Sequence, residues 1–174
     1  MVFVDGENFA IRYGAMLGDS KPFDHIAFEK NVYVWAPILN LDNHLTIKTI
    51  RRHYYTSVGG DLDRRQQIHD RLQTIGMQRP RVFQKNKQKG SKRVDVSLSV
   101  DMLSHAYADH YDAAVLVAGD EDYVPLVEAV KAQGRQVFIW FVSSGLSPAL
   151  KRSSDYFFNL DSILLNESAS SYFT

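Results

Sequence analysis

Uninterrupted apolar segments that alternate with amphipathic segments place the tightest limits on how this chain can fold. Three of them, at residues 1–4, 113–118 and 136–142, lack the polar alternation of a half-exposed strand. Continuous apolar strands are typical of a parallel sheet that is covered by helices on both faces. The sequence therefore predicts an α/β protein: a single Rossmann-like domain over residues 1–174, with a mainly parallel sheet and helices on both sides.

The remaining elements are predicted from periodicity and from turn residues. Strands are predicted at 46–58 and 81–83, and helices at 25–39, 61–76, 94–107, 123–133 and near 148–152. In the third of these helices, Val96, Val100 and Leu103 have helical spacing, and we expect them to pack on the sheet. The first helix is predicted from its apolar composition, because its apolar residues lack clean helical spacing.

Length and composition exclude several classes of protein. The 174 residues are the size of one ordinary domain, and 45% of them are apolar. With no cysteine, the chain has no disulfide, no thiolate nucleophile and no cysteine-ligated zinc or iron–sulfur site. The longest uncharged segment, 136–150, is shorter than the roughly 20 apolar residues of a membrane-spanning helix, and no basic-then-apolar leader opens the chain. We therefore expect a soluble, cytoplasmic protein with no membrane partner.

The formal net charge of zero, from 20 basic and 20 acidic residues, conceals two oppositely charged segments. Residues 79–93 (the basic strip) contain seven basic side chains and no acid, whereas 94–130 contain eight acids and no lysine or arginine. The basic residues of the strip are Arg79, Arg81, Lys85, Lys87, Lys89, Lys92 and Arg93. Such a strip is expected either of a polyanion-binding track beside a metal site or of a solvated surface loop.

Carboxylates follow two of the apolar segments at the point where each predicted strand ends. Asp5 follows the N-terminal segment, and Asp120 and Asp122 follow the second segment. In an open parallel sheet, the carboxyl ends of the strands form the edge at which ligands bind. Asp95 lies in the first turn of the helix that follows the basic strip, and it is the fourth acid expected at this edge.

Four aspartates at one edge would repel each other unless a cation lay between them. Hard oxygen ligands without His or Cys favour Mg²⁺ or Mn²⁺ over zinc, and such an ion could activate a water for in-line phosphoryl displacement. Asn8, three residues after Asp5, could orient a carboxylate or a water. Asp101 lies six residues beyond Asp95, about 240° around the helix, and is a supporting candidate only. Each carboxylate could instead cap a helix or form a turn.

Four sequence motifs together resemble a known family, the NYN domain. They are VDGEN at 4–8, KRVDV at 92–96, VDML at 100–103 and GDEDYVPL at 119–126. Their order and spacing are similar to those of the LabA-like (DUF88) branch of NYN domains, which belong with the PIN-like nucleases. The segment 146–157 is also similar to the end of these domains, so the resemblance covers nearly the whole chain.

The resemblance implies a PIN-like parallel sheet with a carboxylate site at its C-terminal edge and metal-dependent cleavage of RNA. The family's catalytic and metal-binding acids match Asp5, Asp95, Asp120 and Asp122, with Asn8 beside them. Lys92 matches the family's lysine before the Val-Asp pair and would contact a phosphate.

Three positions depart from the family pattern. Ala118 stands where a Ser or Thr commonly precedes Gly-Asp, so one hydroxyl contact is missing. Glu121 replaces a small polar residue and adds negative charge, and Arg93 takes a position that is often Gly. None of these changes removes a proposed ligand of Mg²⁺ or Mn²⁺.

The residues and the resemblance together favour a metal-dependent endoribonuclease that hydrolyses RNA phosphodiester bonds. We expect single-stranded or looped RNA, because an extended strand can follow the basic strip and stack on aromatic rings. The candidate substrate-binding residues are Lys85, Lys87, Lys89, Lys92 and Arg93. Tyr54, Tyr55 and Tyr123 are candidates for base stacking, although a place in the core is the more common one for such residues.

The alternative is a non-catalytic RNA-binding or regulatory module that uses the basic strip, residues 79–93. Its RNA binding would be sensitive to salt and independent of metal. The sequence leaves open whether DNA is a substrate, which of Mg²⁺ and Mn²⁺ is used, and whether the chain forms a homo-oligomer.

Overall fold

The computed structural model describes residues 1–40, 48–85 and 92–166, which form two sheets and six α-helices. The strands are β1 (Val2–Asp5), β2 (Ala27–Glu29), β3 (Tyr33–Trp35), β4 (Arg52–Val58), β5 (Arg79–Gln84), β6 (Ala113–Val117), β7 (Gln136–Phe141) and β8 (Tyr156–Asn159). The helices are α1 (Gly6–Leu17), α2 (Leu62–Thr74), α3 (Lys92–Tyr107), α4 (Val124–Ala132), α5 (Pro148–Ser153) and α6 (Asp161–Leu164). Short 3₁₀ helices cover Pro37–Leu39 and Glu121–Tyr123.

The order of strands in the main sheet determines where a site can form. Six parallel strands lie in the order β5-β4-β1-β6-β7-β8. The chain runs outward from β1 to β4 and β5, then returns to β6 on the other side of β1 and continues to β7 and β8. Ligands of open α/β sheets bind at the carboxyl ends of the strands beside such a reversal. Asp5 ends β1 and Asp120 follows β6, so both residues lie at the reversal.

Helices cover both faces of the main sheet. α1 contacts β1 and β4, and α2 contacts β4 and β5. α3 contacts β1, β4 and α4, while α4 contacts β7 and α5. Right-handed crossovers place α1 and α2 on one face and α3 to α5 on the other. The antiparallel pair β2–β3 packs against α1. In the described ranges, no helix has the length and apolar character needed to cross a membrane.

The predicted α/β fold, with a parallel sheet between helices, is confirmed. β5, β6 and β7 and the helices α2 to α5 occur where the sequence places them, with ends that differ by a few residues. β4 begins at Arg52; residues 48–51 are described and precede the strand, and residues 46–47 lie outside the described residues.

The helix predicted at 25–39 is wrong, because those residues form β2, β3 and a 3₁₀ helix. The segment 32–35 (VYVW) is β-branched and aromatic and is buried, which favours a strand over a helix. α1 has no counterpart among the predicted elements, although its buried residues Phe9, Ala10 and Tyr13 have helical spacing. The glycines at 6, 14 and 18 obscure that pattern in the sequence, since glycine is a poor helix former.

The face of α3 that packs on the sheet also differs from the prediction. Val96 and Val100 are 62% and 56% exposed, so they do not form the buried face. The buried face consists of Val94, Leu98, Met102 and Ala106. Val96 and Val100 are four residues apart, as are successive members of the buried face, and helical spacing alone therefore cannot distinguish them. Leu103, the third predicted residue, is partly buried and packs against the core.

Candidate carboxylate site

Asp5 forms the carboxyl end of β1 and the N-cap of α1. Its Oδ1 accepts a hydrogen bond from the backbone N–H of Asn8 (3.2 Å), which fixes the side chain at the sheet edge. Gly6 permits this turn, because a Cβ there would overlap the ring of Tyr54. Asp5 is buried, so the turn places an ionisable carboxyl group out of solvent.

Tyr123 joins two of the predicted aspartates. Its buried hydroxyl lies 3.0 Å from Asp5 Oδ2 and 3.3 Å from Asp95 Oδ1. A hydroxyl carries one proton, so it donates to only one of these oxygens at a time. The other oxygen then depends on a proton of its own or on a cation. The sequence offers no signal for this role, because Asp5 lies 118 positions away from Tyr123.

The burial of these groups makes the site resist ionisation. Burial raises the pKa of Asp5 from its usual 3.8 to about 7, and the charges of Asp95 and Glu7 add to the rise. Burial also raises the pKa of Asp95, with further contributions from Asp120, Glu7 and Asp122. The pKa of Tyr123 lies well above its usual value because of burial and the two carboxylates. The site therefore concentrates negative potential and favours a bound proton or cation.

Asp120 and Asp122 lie at the carboxyl end of β6 and are exposed. Asp120 Oδ1 accepts a hydrogen bond from the backbone N–H of Asp122 (3.1 Å) and so caps the 3₁₀ helix. Gly119 brings this turn close to β7, because a Cβ there would overlap the ring of Phe141 and lie 2.6 Å from the Gly145 carbonyl oxygen. Capping therefore accounts for one oxygen of Asp120, as it does for one oxygen of Asp5.

Glu7 is a fifth acid at this edge, and it is not among the residues predicted for the site. Its side chain is buried, accepts a hydrogen bond from the Ser57 hydroxyl, and forms an ion pair with Lys85 Nζ at 2.5 Å. Acidic residues are common in the first turn of a helix, so its position in VDGEN gave little signal. Its charge nevertheless contributes to the raised pKa values of Asp5 and Asp95.

The family model of the NYN domain matches residues 1–161. The chain belongs to the NYN domain family. NYN domains are a PIN-like nuclease family, which is the general activity that the motifs imply.

The fold of this NYN domain also occurs in a solved structure. A protein of unknown function from Vibrio parahaemolyticus RIMD 2210633 superposes with a TM-score of 0.66 at 21% sequence identity, over 94% of this chain and 93% of that chain. This similarity concerns the fold alone. No curated protein matches the sequence.

The predicted substrate-binding residues of the NYN domain do not share one environment. Lys85 is partly exposed and is paired with Glu7. Arg93 is exposed on the first turn of α3. Lys92 begins α3, but its side chain lies outside the described part of the structure, as do the residues Lys87 and Lys89.

Asp101 lies away from the four aspartates, and the two tyrosines of β4 lie inside the core. Asp101 accepts a hydrogen bond from the Tyr55 hydroxyl (2.8 Å) and pairs with Arg81 (3.0 Å). Tyr54 and Tyr55 are fully buried, so neither they nor the buried Tyr123 can stack on RNA bases. The interpretation of these tyrosines as core residues is confirmed.

The chemistry of the site fits Mg²⁺ or Mn²⁺, because its donors are carboxylate and amide oxygens. Asn8 Oδ1 is buried and has no hydrogen-bond partner within the described residues, which leaves an oxygen free for a water or a cation. Among those residues, however, no three Asp, Glu, His or Cys side chains already stand close enough to surround an ion.

Proposed function

We propose that this NYN domain, of the LabA-like branch, is a divalent-metal-dependent endoribonuclease acting on single-stranded or looped RNA. The main support is the pairing of Asp5 with Asp95 through one Tyr123 hydroxyl, at the reversal of strand order. A buried and a half-buried carboxylate that share one proton donor form a site that a cation would stabilise. We also propose that residues 1–174 form one domain.

Asp5, Asp95, Asp120 and Asp122 would hold Mg²⁺ or Mn²⁺ in this proposal. A bound ion of this kind lowers the pKa of water and offsets the charge that develops on a phosphodiester. The four aspartates offer their carboxyl oxygens at the edge, and Tyr123 fixes the relative positions of Asp5 and Asp95. Tyr123 is therefore a positioning residue.

The chain's other polar groups would act on water and on RNA. The free Oδ1 of Asn8 accepts a hydrogen bond from the attacking water. A water would attack phosphorus in line and give up a proton as its oxygen bonds to phosphorus, while the bond to the 3′-oxygen breaks and that oxygen takes up a proton to leave as a hydroxyl group. Lys92 and Arg93, at the start of α3, neutralise the phosphate, while Lys85, Lys87 and Lys89 extend the contact along the strand.

A second candidate function is metal-independent RNA binding by the basic strip. It is supported by the partners that the acids have within the protein. The Tyr123 hydroxyl is within hydrogen-bond distance of Asp5 and Asp95, and Lys85 forms an ion pair with Glu7. Acids satisfied in this way can persist in a folded domain without a metal.

Cleavage of labelled single-stranded RNA, with and without Mg²⁺ or Mn²⁺, tests the first function. Asp120→Asn keeps the helix cap, because Asn accepts the same N–H, and we expect cleavage to slow by about 100-fold or more. Asp63→Asn is the matched control, since Asp63 is an exposed acid in the first turn of α2. Full activity of Asp120→Asn would overturn the nuclease proposal.

The same samples separate the two functions. Binding without cleavage that survives a chelator and Asp120→Asn, but is lost on charge reversal of Lys85, Lys87 and Lys89, would establish the RNA-binding module.

A further inference from the structure

A cavity of about 300 Å³ lies between β4, β5 and α3, away from the carboxylate site. Its lining includes Arg51, His53, Arg79, Arg81, Asp101 and His105 (the arginine pocket). Arg51 precedes β4 and Arg79 begins β5, so the pocket opens at the amino ends of strands whose carboxyl ends face the other site. Asp101 is six residues beyond Asp95, or about 9 Å along α3.

The pocket carries more positive than negative charge. Arg81 pairs with Asp101 at 3.0 Å, and this uses the carboxylate of the pocket. The guanidinium groups of Arg51 and Arg79 have no ion pair or hydrogen bond within the described ranges. Two unpaired guanidinium groups beside one cavity are the arrangement expected of a site for an oxyanion.

His53 adds a hydrogen-bonding group that no protein atom satisfies. It is only 4% exposed, and its Nε2 is buried and has no partner in the described part of the chain. Its ring is held between Phe3, stacked at 4.9 Å, and His105, at 5.2 Å between centroids. A buried polar atom of this kind costs free energy unless a ligand pairs with it.

Tyr55 determines which nitrogen of His53 carries the proton. The Tyr55 hydroxyl donates its proton to Asp101 Oδ2 (2.8 Å) and lies 3.4 Å from His53 Nδ1. Because that proton is already used, Nδ1 must donate to the tyrosine oxygen, and neutral His53 presents a lone pair at Nε2. A ligand that satisfies Nε2 must therefore bring a proton.

Every neighbouring element keeps His53 neutral. The pKa of His53 is lowered from 6.5 to about 3, chiefly by burial and in addition by His105 of α3 and by Arg51, Arg79 and Arg81. Asp101 of α3 is engaged by Arg81 and Tyr55, and β1 contributes the uncharged ring of Phe3. An acceptor nitrogen thus stands among cationic groups.

We propose that the arginine pocket binds a phosphate monoester or orthophosphate, with Arg51 and Arg79 on its charged oxygens and its P–OH group donating to His53 Nε2. Such phosphates keep a proton at mildly acidic pH, because their second pKa is about 6 or slightly higher. A sulfate or an internal RNA phosphodiester carries no such proton. The pocket therefore selects a terminal or free phosphate, and this function is separate from the carboxylate site.

Calorimetric titration of the full chain at pH 6, in a chelator and low salt, tests the proposal with orthophosphate and sulfate. We expect orthophosphate to bind at least about tenfold more tightly than sulfate, although sulfate has more charge. Failure of the folded wild type to bind phosphate, or equal binding of the two anions, would overturn the proposal.

Three variants assign the effect to the pocket. Arg79→Ala should weaken phosphate binding by about tenfold or more, and it changes an exposed side chain. His53→Phe keeps the ring stack and should remove the preference for phosphate over sulfate. Arg65→Ala is the matched control, because Arg65 lines the neighbouring cavity against β5 and should leave binding unchanged. Equal loss in Arg65→Ala and Arg79→Ala would contradict the assignment.

Further titrations identify the source of the phosphate. Tighter binding of a nucleoside 5′-monophosphate than of orthophosphate would indicate a nucleotide ligand. Tighter binding of a 5′-phosphorylated RNA oligomer than of its 5′-hydroxyl form would indicate an RNA end. Because a chelator is present throughout, failure of the nuclease proposal would not affect these results.

Discussion

The two ends of the central strands carry opposite charge, and at each end a tyrosine hydroxyl contacts an aspartate. At the carboxyl end, the Tyr123 hydroxyl serves two carboxylates, Asp5 and Asp95. At the amino end, the Tyr55 hydroxyl donates to Asp101 and lies beside His53 Nδ1, and His53 Nε2 has no partner among the described residues. One end therefore has more acceptors than protons, and the other has more cations than anions.

The comparison shows that the position of an aspartate along α3 determines which charged groups it faces. Asp95 and Asp101 lie on one helix, and each contacts a tyrosine hydroxyl. Asp95 faces other acids, and its pKa is raised chiefly by burial. Asp101 faces Arg81 and closes an ion pair. The two ends should accordingly respond to pH in opposite directions.

The amino end should lose stability in acid. His53 has a pKa lowered from 6.5 to about 3, so the folded state gains stability above pH 6.5 and loses it as the pH falls toward 3. The shift corresponds to roughly 5 kcal/mol at most. We expect His53→Phe, measured by urea unfolding between pH 7 and 3.5, to become progressively more stable relative to wild type. His69→Phe, on α2, should show no such trend, and an equal trend in both variants would contradict the account.

The carboxyl end should lose stability in base. The pKa of Asp5 is raised from 3.8 to about 7, so its contribution is fully present below pH 3.8 and is lost as the pH rises through 7. That shift corresponds to roughly 4 kcal/mol. In a chelator, Asp5→Asn should therefore gain stability relative to wild type between pH 4 and 9. Asp61→Asn changes an exposed N-cap with the same hydrogen bond and should not. A gain that does not depend on pH would refute the burial effect.

Gly119 tests the close packing that brings β6 and β7 together at the site. In Gly119→Ala the new Cβ would meet the Phe141 ring and the Gly145 carbonyl oxygen. We expect a loss of about 1–3 kcal/mol in urea unfolding. Gly59→Ala has open space around its Cβ and should change stability much less. Equal effects would show that the turn can relax.

The Lys85–Glu7 pair should have the smallest effect. Lys85 is 44% exposed, so Lys85→Ala should cost less than about 1 kcal/mol, and added salt should reduce the difference further. The measurement is urea unfolding at low and high ionic strength. A large loss that salt leaves unchanged would mean that the pair is held in a rigid, solvent-excluded network.

The sequence predicted the sheet and the location of Asp5 and Asp120, because parallel strands that end in carboxylates bring those ends to one edge. It could not reveal Tyr123 and Glu7 as members of the site. The hydroxyl of Tyr123 meets a residue 118 positions away, and Glu7 meets Lys85 at a separation of 78. Periodicity also failed where two patterns coincided, as with Val96 and Leu98 on α3. In each of these cases, contacts between residues distant in sequence determine the structure, and a local sequence pattern does not contain that information.

Calorimetric titration of Mn²⁺ into the wild-type chain and into Asp95→Asn tests the central claim most directly. Asp95→Asn keeps the shape of the side chain and removes its charge, while Asp63→Asn controls for the loss of one acid elsewhere. The account predicts saturable binding to wild type and Asp63→Asn that is lost in Asp95→Asn. A folded wild-type chain that binds no Mn²⁺ would contradict it, and the aspartates would then be caps and internal hydrogen-bond partners only.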